Sequence, residues 1–264
     1  MTPVRLLIVG GGRMGEALAA GLLKAGWAPG DLGLVELDAV RRRDLATRFA
    51  GVAVYDRPAE AEGVVIAVKP QHVEAAARGA AAVGCTRVLS IAAGVPTRKL
   101  ESQLREGTPV VRAMPNTPAQ VGAGAAAIAP GSAAGDADLD WAESILGAVG
   151  TVVRVAESDL DAVTGLSGSG PAYVFLLVEA LVAGGVSAGL DSQVAARLAR
   201  QTVIGAGRLL ETSRDSPEDL RDAVTSPGGT TAAGLEVLRE LGLREAVIAA
   251  VQAAAARSRA LGAE

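Results

Sequence analysis

The chain is short of the residues that most often carry acid–base, redox and metal chemistry. Its 264 residues include one cysteine, Cys85, and one histidine, His72. A single cysteine excludes an internal disulfide, and a serine–histidine catalytic set is excluded unless His72 is its base. No ligand spacing typical of a zinc site occurs, so we expect no metal. We expect His72 to be solvated or to cap a helix, and Cys85 to pack in the interior.

Aromatic residues, a basic charge excess and long unbroken apolar runs are also lacking. Aromatic side chains make up 2% of the chain, so a core has to be built mainly from alanine, valine and leucine. The net charge of −4 disfavours a nucleic-acid or anionic-membrane partner. Glycine, serine or proline interrupts each strongly apolar stretch before it reaches about 18 residues, and the start of the chain does not resemble a signal peptide. These absences predict a soluble cytoplasmic protein without a transmembrane helix.

What is present in the first part of the chain is an alternation of short apolar runs and helical patterns. Strands are predicted at 4–10, 32–37, 63–70, 87–95, 109–118 and 124–130. Continuous apolar strands separated by helices are typical of a parallel sheet covered on both faces. Residues 1–155 are therefore predicted to form a doubly wound α/β domain.

The second part of the chain is predicted to be all-α. After about residue 155, long alanine- and leucine-rich helical patterns occupy 171–190, 191–212 and 244–262. The pattern at 171–190 is apolar nearly all round, which in a small domain indicates a subunit interface. We therefore assign residues 156–264 to a second, helical domain.

A glycine-rich loop joins the first strand to the first helix. The segment VGGGRMG places Gly10, Gly12 and Gly15 in the pattern G-x-G-x-x-G. The first glycine permits a tight turn, the second lets the backbone approach a pyrophosphate, and the third lets helix and strand pack closely. In this strand–loop–helix context the motif predicts a Rossmann dinucleotide-binding domain over residues 1–155.

The choice between NAD and NADP stays open from the residues alone. Glu36, at the end of the second predicted strand, is placed to bind the ribose hydroxyls and to repel a 2′-phosphate, which favours NAD. Arg41, Arg42 and Arg43 follow closely and could meet a phosphate, or form the exposed face of a charged helix.

Two further loops follow later strands, at the edge of the sheet where a nicotinamide binds. AVKPQ contains Lys69, a candidate general acid that is more often a solvated strand end. MPNTP contains Asn116 and Thr117, whose side chains are suited to hydrogen-bonding a ligand.

Two turns in the helical part combine glycine with hydroxyl side chains directly before a helix. They are GLSGSGPAY at 165–173 and AVTSPGGTTAAGLEVL at 223–238, the latter with Ser226, Thr230 and Thr231. A helix N-terminus presents unpaired N–H groups and the positive end of the helix dipole, which suits a carboxylate. Ordinary capping needs fewer hydroxyls, so this pattern favours a small anionic substrate.

Six segments together resemble the pyrroline-5-carboxylate reductase family. In the family's order they are GGGRMGEAL, AVKPQ, SIAAGV, RAMPNTP, GLSGSGPAYVF and SPGGTTAAGLEVL, and they extend over nearly the whole chain. The resemblance implies an N-terminal Rossmann domain followed by an all-α dimerisation domain. It also implies an interleaved homodimer whose active site joins one subunit's cofactor domain to its partner's helices, with larger rings of dimers occurring in the family.

The resemblance further implies hydride transfer from NAD(P)H to the C=N bond of 1-pyrroline-5-carboxylate, giving L-proline. It assigns Thr231 as the catalytic residue, through a hydrogen bond to the imine nitrogen. The implied substrate-binding residues are Val224, Ser226, Gly228, Gly229, Thr230 and Thr231. The implied cofactor-binding residues are Gly10, Gly12, Arg13, Met14, Gly15, Glu36, Val68, Lys69, Pro70, Ala92, Ala93, Gly94 and Asn116. The cofactor it implies is NADPH, although family members that use NADPH usually carry small polar residues where this chain has Glu36, which keeps NADH open.

Two other readings fit parts of the pattern. One is another imine reductase or a β-hydroxyacid reductase with the same Rossmann-plus-helices plan. The hydroxyacid enzymes usually carry a lysine in the second domain, whereas the lysines here, Lys24, Lys69 and Lys99, all lie in the first. A non-catalytic dinucleotide sensor would have no need for Ser226, Thr230 and Thr231 together.

Overall fold

The structure, a computed structural model, describes residues 3–263 and divides the chain into two compact units. The first contains residues 3–169 together with 252–263, and the second is Gly170–Val251. The second unit is thus an insertion between two parts of the first. The boundary predicted from sequence, between residues 155 and 156, falls just after the last strand and stays a prediction about domain organisation.

An eight-stranded sheet forms the centre of the first unit. Its strands are β1 (Val4–Val9), β2 (Leu32–Val35), β3 (Ala53–Tyr55), β4 (Ala61–Ile66), β5 (Arg87–Ser90), β6 (Val110–Met114), β7 (Gly124–Pro130) and β8 (Gly150–Arg154). Its helices are α1 (Arg13–Lys24), α2 (Ala39–Arg48), α3 (Val73–Ala82), α4 (Thr97–Glu101), α5 (Asp136–Leu146) and α6 (Leu160–Val163).

The strand order is β3-β2-β1-β4-β5-β6-β7-β8, and β1 to β6 are parallel. β1 shows why both faces are covered. Leu6 and Ile8 belong to a core cluster on one face, whereas Leu7 and Val9 belong to a cluster on the other. Strand order reverses between β1 and β4, and the crevice at the carboxyl ends of these two strands is where doubly wound sheets bind ligands. The predicted Rossmann fold is confirmed.

The sheet departs from the prediction of uniformly parallel strands at β7. β7 pairs antiparallel with β6, and β8 then runs parallel to β7. The connection 115–123 contains one 3-10 helix, Thr117–Val121, and Gly122 with a φ of 76°. A parallel return needs a crossover of about a dozen residues or more, so this shorter connection returns the chain as a neighbour in the opposite direction. Neither β3 nor β8 is among the strands predicted from the sequence.

The second unit is built from helices that bury little against one another. It contains α7 (Gly170–Ser187), α8 (Ser192–Thr212), α9 (Pro217–Ala223), α10 (Thr230–Glu240) and the first part of α11 (Leu243–Ala263), whose last part belongs to the first unit. Among the described residues of this unit, the only buried hydrophobic side chains are Ala195 and Ala199. Phe175 and Leu176 on α7 are 61% and 65% exposed within the single chain. So little burial cannot stabilise a unit of this size by itself.

One helical segment is long and apolar enough to span a membrane by length and composition alone. It is Glu157–Ser187, with a mean hydropathy of 1.6 and no part of that window buried within the chain. The sequence prediction of no such helix rested on its glycine, serine and proline breaks. The segment is in fact interrupted in form, because Thr164–Gly168 is a π-helical turn between α6 and α7. A helix face that packs on another protein subunit produces the same signature.

Candidate active site

The three motif glycines of the loop after β1 have two different environments: two are closely packed, and one borders open space. Gly10 has a φ of 114°, and a Cβ there would lie 2.5 Å from the Ala67 carbonyl oxygen, so the loop lies directly against the segment after β4. A Cβ on Gly15 would overlap the Gly10 carbonyl oxygen, which keeps α1 close to β1. A Cβ on Gly12 would meet no atom within 4 Å. Gly10 and Gly15 are therefore required by packing, whereas Gly12 borders open space.

The N-terminus of α1 opens into the same space. Gly12 is its N-cap and no side chain caps it. The first intrahelical bond runs from Glu16 N to Gly12 O at 2.9 Å, so the N–H groups of Arg13, Met14 and Gly15 have no acceptor among the described residues. Unpaired N–H groups and the positive end of the helix dipole, beside a space free of side chains, fit the pyrophosphate of a dinucleotide.

Glu36 lies just beyond β2 in a network of charges that ties it to α1 and α2. Its carboxylate accepts a hydrogen bond from Asp38 N at 3.0 Å and lies 3.5 Å from Arg41 Nε. Arg41 Nε also donates to the Gly11 carbonyl at 2.6 Å, and its Nη2 donates to Glu16. Arg42 donates to the carbonyl oxygens of Glu36 and Leu37. The Glu36 carboxylate is therefore paired with a cation rather than isolated at the end of the strand.

The segments after β4 and β5 border this crevice. Val68 approaches the glycine loop, since a Cβ on Gly10 would lie 3.1 Å from its Cγ1. Lys69 is exposed and is the N-cap of the 3-10 helix Pro70–His72, with no side-chain capping bond, as expected of a solvated strand end. His72 is likewise exposed at the start of α3 and does not cap it.

Residues 91–96, called the β5 loop below, contribute to the lining of two cavities. One cavity, of about 640 Å³, is lined by Pro70, Gln71 and Ala93 among others. The other, of about 340 Å³, has Arg112 and Glu157 in its lining, and Gly94 and Pro96 border both. Ala92 is buried. Ala92, Ala93 and Gly94 thus lie beside the crevice, as the family resemblance implies for cofactor-binding residues, and their contact with a cofactor stays a prediction.

Asn116 is buried and both ends of its side-chain amide have protein partners. Its Nδ2 donates to the Ser167 carbonyl at 3.0 Å, and its Oδ1 accepts from Ala125 N at 2.9 Å. The side chain thus ties the β6–β7 connection to the π-helical turn. Nothing in the MPNTP segment itself indicates this structural role, and the cofactor contact of Asn116 stays a prediction.

The first unit also contains a partly buried ion pair that has no local sequence signal. Glu157 accepts hydrogen bonds from Thr97 N at 2.7 Å, Thr97 Oγ1 at 2.8 Å and Arg112 Nη1 at 3.1 Å. Partial burial acts to raise the pKa of Glu157, but the hydrogen bonds from Thr97 and Arg112 outweigh it and leave the pKa below its ordinary value. Arg112 lies within the RAMPNTP segment, in which the predicted site residues are Asn116 and Thr117.

The hydroxyl-rich turn of the second unit leads into α10. Gly229 is the N-cap and has no side-chain capping bond, so Thr230 and Thr231 are the first two residues of the helix. Gly228 has a φ of 69°, and Gly229 N donates to Ser226 O at 3.0 Å, which folds the loop tightly before the helix. The hydroxyls of Ser226, Thr230 and Thr231 have no partner among the described residues, and Thr231 is exposed. Unpaired hydroxyls and unpaired N–H groups therefore collect at one helix N-terminus, with Val224 exposed beside them.

The predicted residues accordingly form two groups, one in each unit. The glycine loop, Glu36, Val68, Lys69, Pro70 and the β5 loop surround the carboxyl edge of the sheet in the first unit. The residues of the hydroxyl-rich turn form their own cluster in the second. The first group can hold a dinucleotide, and the second can hold a small anion by charge-assisted hydrogen bonds.

Comparison with known proteins identifies a matching family model for each part of the chain. Residues 157–261 match the family model described as pyrroline-5-carboxylate reductase dimerisation. Residues 5–94 match the model described as NADP oxidoreductase, coenzyme F420-dependent.

Relatives match nearly the whole chain. A pyrroline-5-carboxylate reductase of Synechocystis is 44% identical, with 98% of each chain covered. Among solved structures, a pyrroline-5-carboxylate reductase from Coxiella burnetii has a TM-score of 0.92 at 34% identity, covering 98% of this chain and 99% of that one. A Plasmodium falciparum pyrroline carboxylate reductase with NADP bound has a TM-score of 0.84 at 29% identity, covering 99% of each.

Proposed function

The chain belongs to the pyrroline-5-carboxylate reductase family, and from that premise we propose how its residues carry out the family's reaction. That reaction is the reduction of 1-pyrroline-5-carboxylate to L-proline, the last step of proline biosynthesis, with a nicotinamide dinucleotide as reductant. A bound reduced nicotinamide supplies the hydride that adds to the C=N carbon. The residues of this chain bind and orient the two reactants.

The observation that carries the proposal is the cluster of unpaired donors before α10. A cyclic imino acid carries a carboxylate and, when protonated, an iminium N–H. The N–H groups at the start of α10 and the Ser226 hydroxyl bind the carboxylate, with Val224, Gly228, Gly229 and Thr230 shaping this pocket. The Thr231 Oγ1 accepts a hydrogen bond from the iminium nitrogen. Because the iminium arrives protonated, no strong acid is needed, and catalysis rests on positioning.

The test is steady-state reduction of 1-pyrroline-5-carboxylate by the parent and by Thr231→Ala and Thr231→Ser. Loss of one hydrogen bond to a charged group costs about 1.5–3 kcal/mol, which is roughly a 10- to 150-fold loss of kcat/KM in Thr231→Ala. Thr231→Ser keeps the hydroxyl and should retain most activity. A parent that binds NADPH but leaves this substrate unreduced would refute the proposal, and so would a fully active alanine variant.

We further propose that NADPH is the preferred cofactor and that NADH is also used. The Glu36 carboxylate is partnered by Arg41 and by Asp38 N, so its repulsion of a 2′-phosphate is reduced, and Arg43 is exposed on the same helix. Glu36→Gln should raise kcat/KM with NADPH and Arg43→Gln should lower it, with smaller effects for NADH. If Glu36 instead binds the ribose hydroxyls, Glu36→Gln will mainly impair NADH.

The chain self-associates and acts on a small molecule, as its dimerisation region and its relatives indicate. We propose an interleaved homodimer in the cytoplasm, in which a second copy covers the apolar surface of α7. The support is the nearly coreless second unit, which needs another subunit to bury its side chains. Assembly of such dimers into a larger ring remains a prediction from the family resemblance.

A further inference from the structure

The β5 loop borders two cavities, and the side chains that fix it in the core are those of Ala92 and Val95, whereas Ala93 is exposed. At its start, Ile91 N donates to Ile66 O at 3.1 Å, and Ala92 N lies 3.4 Å from Ser90 Oγ. Further along, Gly94 and Pro96 border both cavities. Beyond the buried side chain of Val95, the position of the far half of the loop depends on how its end is anchored.

Glu157 provides that anchor. Both of its carboxylate oxygens accept hydrogen bonds from Thr97, the residue that follows the loop and begins α4. Thr97 is buried, and a carboxylate at the N-terminus of a helix also interacts favourably with the helix dipole.

Arg112 fixes the anchor to the sheet. Its side chain extends from β6, is 10% exposed, and donates to the same carboxylate. Three segments distant in sequence, the start of α4, β6 and the segment after β8, thus meet at one carboxylate. A half-buried carboxylate with three donors has little freedom to move.

The C-terminal part of α11 supports the loop at a second point. A Cβ on Gly262 would lie 3.1 Å from the Gly94 carbonyl oxygen, and a Cβ on Gly94 would lie 3.7 Å from Leu261 Cβ. Backbone is therefore packed closely against backbone at the middle of the loop.

We infer that Glu157 is a positioning residue for the reaction. It holds the β5 loop in the position in which the loop can bind the nicotinamide half of the cofactor. This rests on the proposed function, in which a nicotinamide dinucleotide is the reductant, and on the family resemblance, which assigns Ala92, Ala93 and Gly94 to that cofactor. Glu157 itself touches neither reactant in this scheme. It acts through Thr97.

The chain offers a matched control at the other end of the same helix. Glu101, the last residue of α4, accepts hydrogen bonds from Ser132 N at 2.6 Å and Ser132 Oγ at 3.0 Å. This carboxylate has the same partner types, a backbone N–H and a hydroxyl of one residue. It lies beside the end of β7 and one helical turn from Thr97, since a Cβ on Gly131 would contact Glu101 Oε1 and would lie 3.4 Å from Thr97 Cβ. Glu101→Ala therefore removes a carboxylate from the same short helix without removing the hydrogen bonds between Glu157 and Thr97.

The experiment compares Glu157→Ala, Glu157→Gln and Glu101→Ala in the full-length protein. The kcat and the KM for NADPH are measured alongside the Kd of ADP-ribose 2′-phosphate, a fragment without the nicotinamide. For Glu157→Ala we expect kcat to fall about 10- to 100-fold, the range associated with a misplacement of about 1 Å, with a raised KM for NADPH. The Kd of the fragment should stay within about twofold of the parent. Glu157→Gln keeps most hydrogen-bonding geometry and should recover most of kcat, while Glu101→Ala should match the parent.

Two results would overturn the inference. One is a Glu157→Ala enzyme with the same kcat and KM as Glu101→Ala. The other is a Glu157→Ala enzyme whose affinity for the fragment falls as much as its affinity for NADPH, which would indicate general damage to the cofactor domain. If Glu157→Ala does not fold, Thr97→Val removes one hydrogen bond at nearly constant volume, with Thr97→Ser as its rescue. If the parent does not reduce 1-pyrroline-5-carboxylate, the proposed function fails, but the ratio of NADPH to fragment affinity still tests the role of Glu157.

Discussion

The glycine loop permits a prediction in which stability and cofactor binding separate. Gly12→Ala and Gly15→Ala each add one methyl group to the same motif, three residues apart. The methyl group on residue 12 enters open space, whereas that on residue 15 overlaps the Gly10 carbonyl oxygen. The first substitution should therefore affect the ligand and the second the fold.

The magnitudes follow from these two environments. Overpacking by one methyl group costs about 1–3 kcal/mol, which for a chain of this size corresponds to a fall in Tm of roughly 2–12 °C for Gly15→Ala. In Gly12→Ala, the weaker capping by alanine and the reduced entropy of the unfolded chain nearly cancel, so stability should stay within about 1 kcal/mol. If the open space receives the pyrophosphate, the methyl group should weaken NADPH binding at least about tenfold, or about 1.4 kcal/mol.

The assay pairs thermal unfolding at one protein concentration with a fluorescence titration of NADPH. The reasoning is refuted if Gly12→Ala binds NADPH as tightly as the parent. It is equally refuted if Gly12→Ala lowers Tm as much as Gly15→Ala, since the space beside residue 12 would then be needed for packing.

Three further predictions concern other parts of the molecule. The pKa of Glu157 is below its ordinary value of 4.5, so its ionised side chain stabilises the fold above about pH 4.5. That stabilisation is lost as the pH falls through the folded-state pKa. The Tm difference between the parent and Glu157→Gln should therefore be largest near pH 7 and should shrink in acid. Phe175→Asp should dissociate the oligomer in light scattering, because burying a phenylalanine contributes about 1.5–3 kcal/mol in each of two copies, whereas Val121→Asp, exposed in the first unit, should leave it intact. Asn116→Ala leaves the Ser167 carbonyl and Ala125 N without their partner. The unpaired groups cost about 1–3 kcal/mol, so Tm should fall by about 2–12 °C. Thr117→Ala, the control, should change Tm little.

Local signals carried much of the prediction. The roles of Gly10, Gly12 and Gly15 follow from a motif within one strand–loop–helix unit, and the structure gives each glycine the environment that such a motif requires. The long helices of the second part are confirmed near their predicted bounds, and Asp191 caps α8 through Gln193 N and Val194 N.

The features that the sequence did not predict depend on contacts between residues distant in sequence. Arg112 and Glu157 meet only because β6 and the segment after β8 are brought together by the sheet. Arg112 lies in the RAMPNTP segment, but nothing in that segment points to Glu157 as its partner. The reversal at β7 is decided by the length of the preceding connection rather than by the strand itself, since parallel and antiparallel buried strands are equally apolar. Asn116 looked free to bind a ligand, but its partners come from a π-helical turn and a strand start that its own segment does not reveal.

The division of the chain has a consequence for its synthesis. The first unit needs residues 252–263 to complete its packing, yet Gly170–Val251 must be translated before them. At about 5–20 residues per second the ribosome spends roughly 4–16 s on that segment. The sheet can form during this interval, but the contact between Gly94 and Gly262 can form only after the end of α11 has been translated. The unit that is translated first is therefore the last to complete its packing.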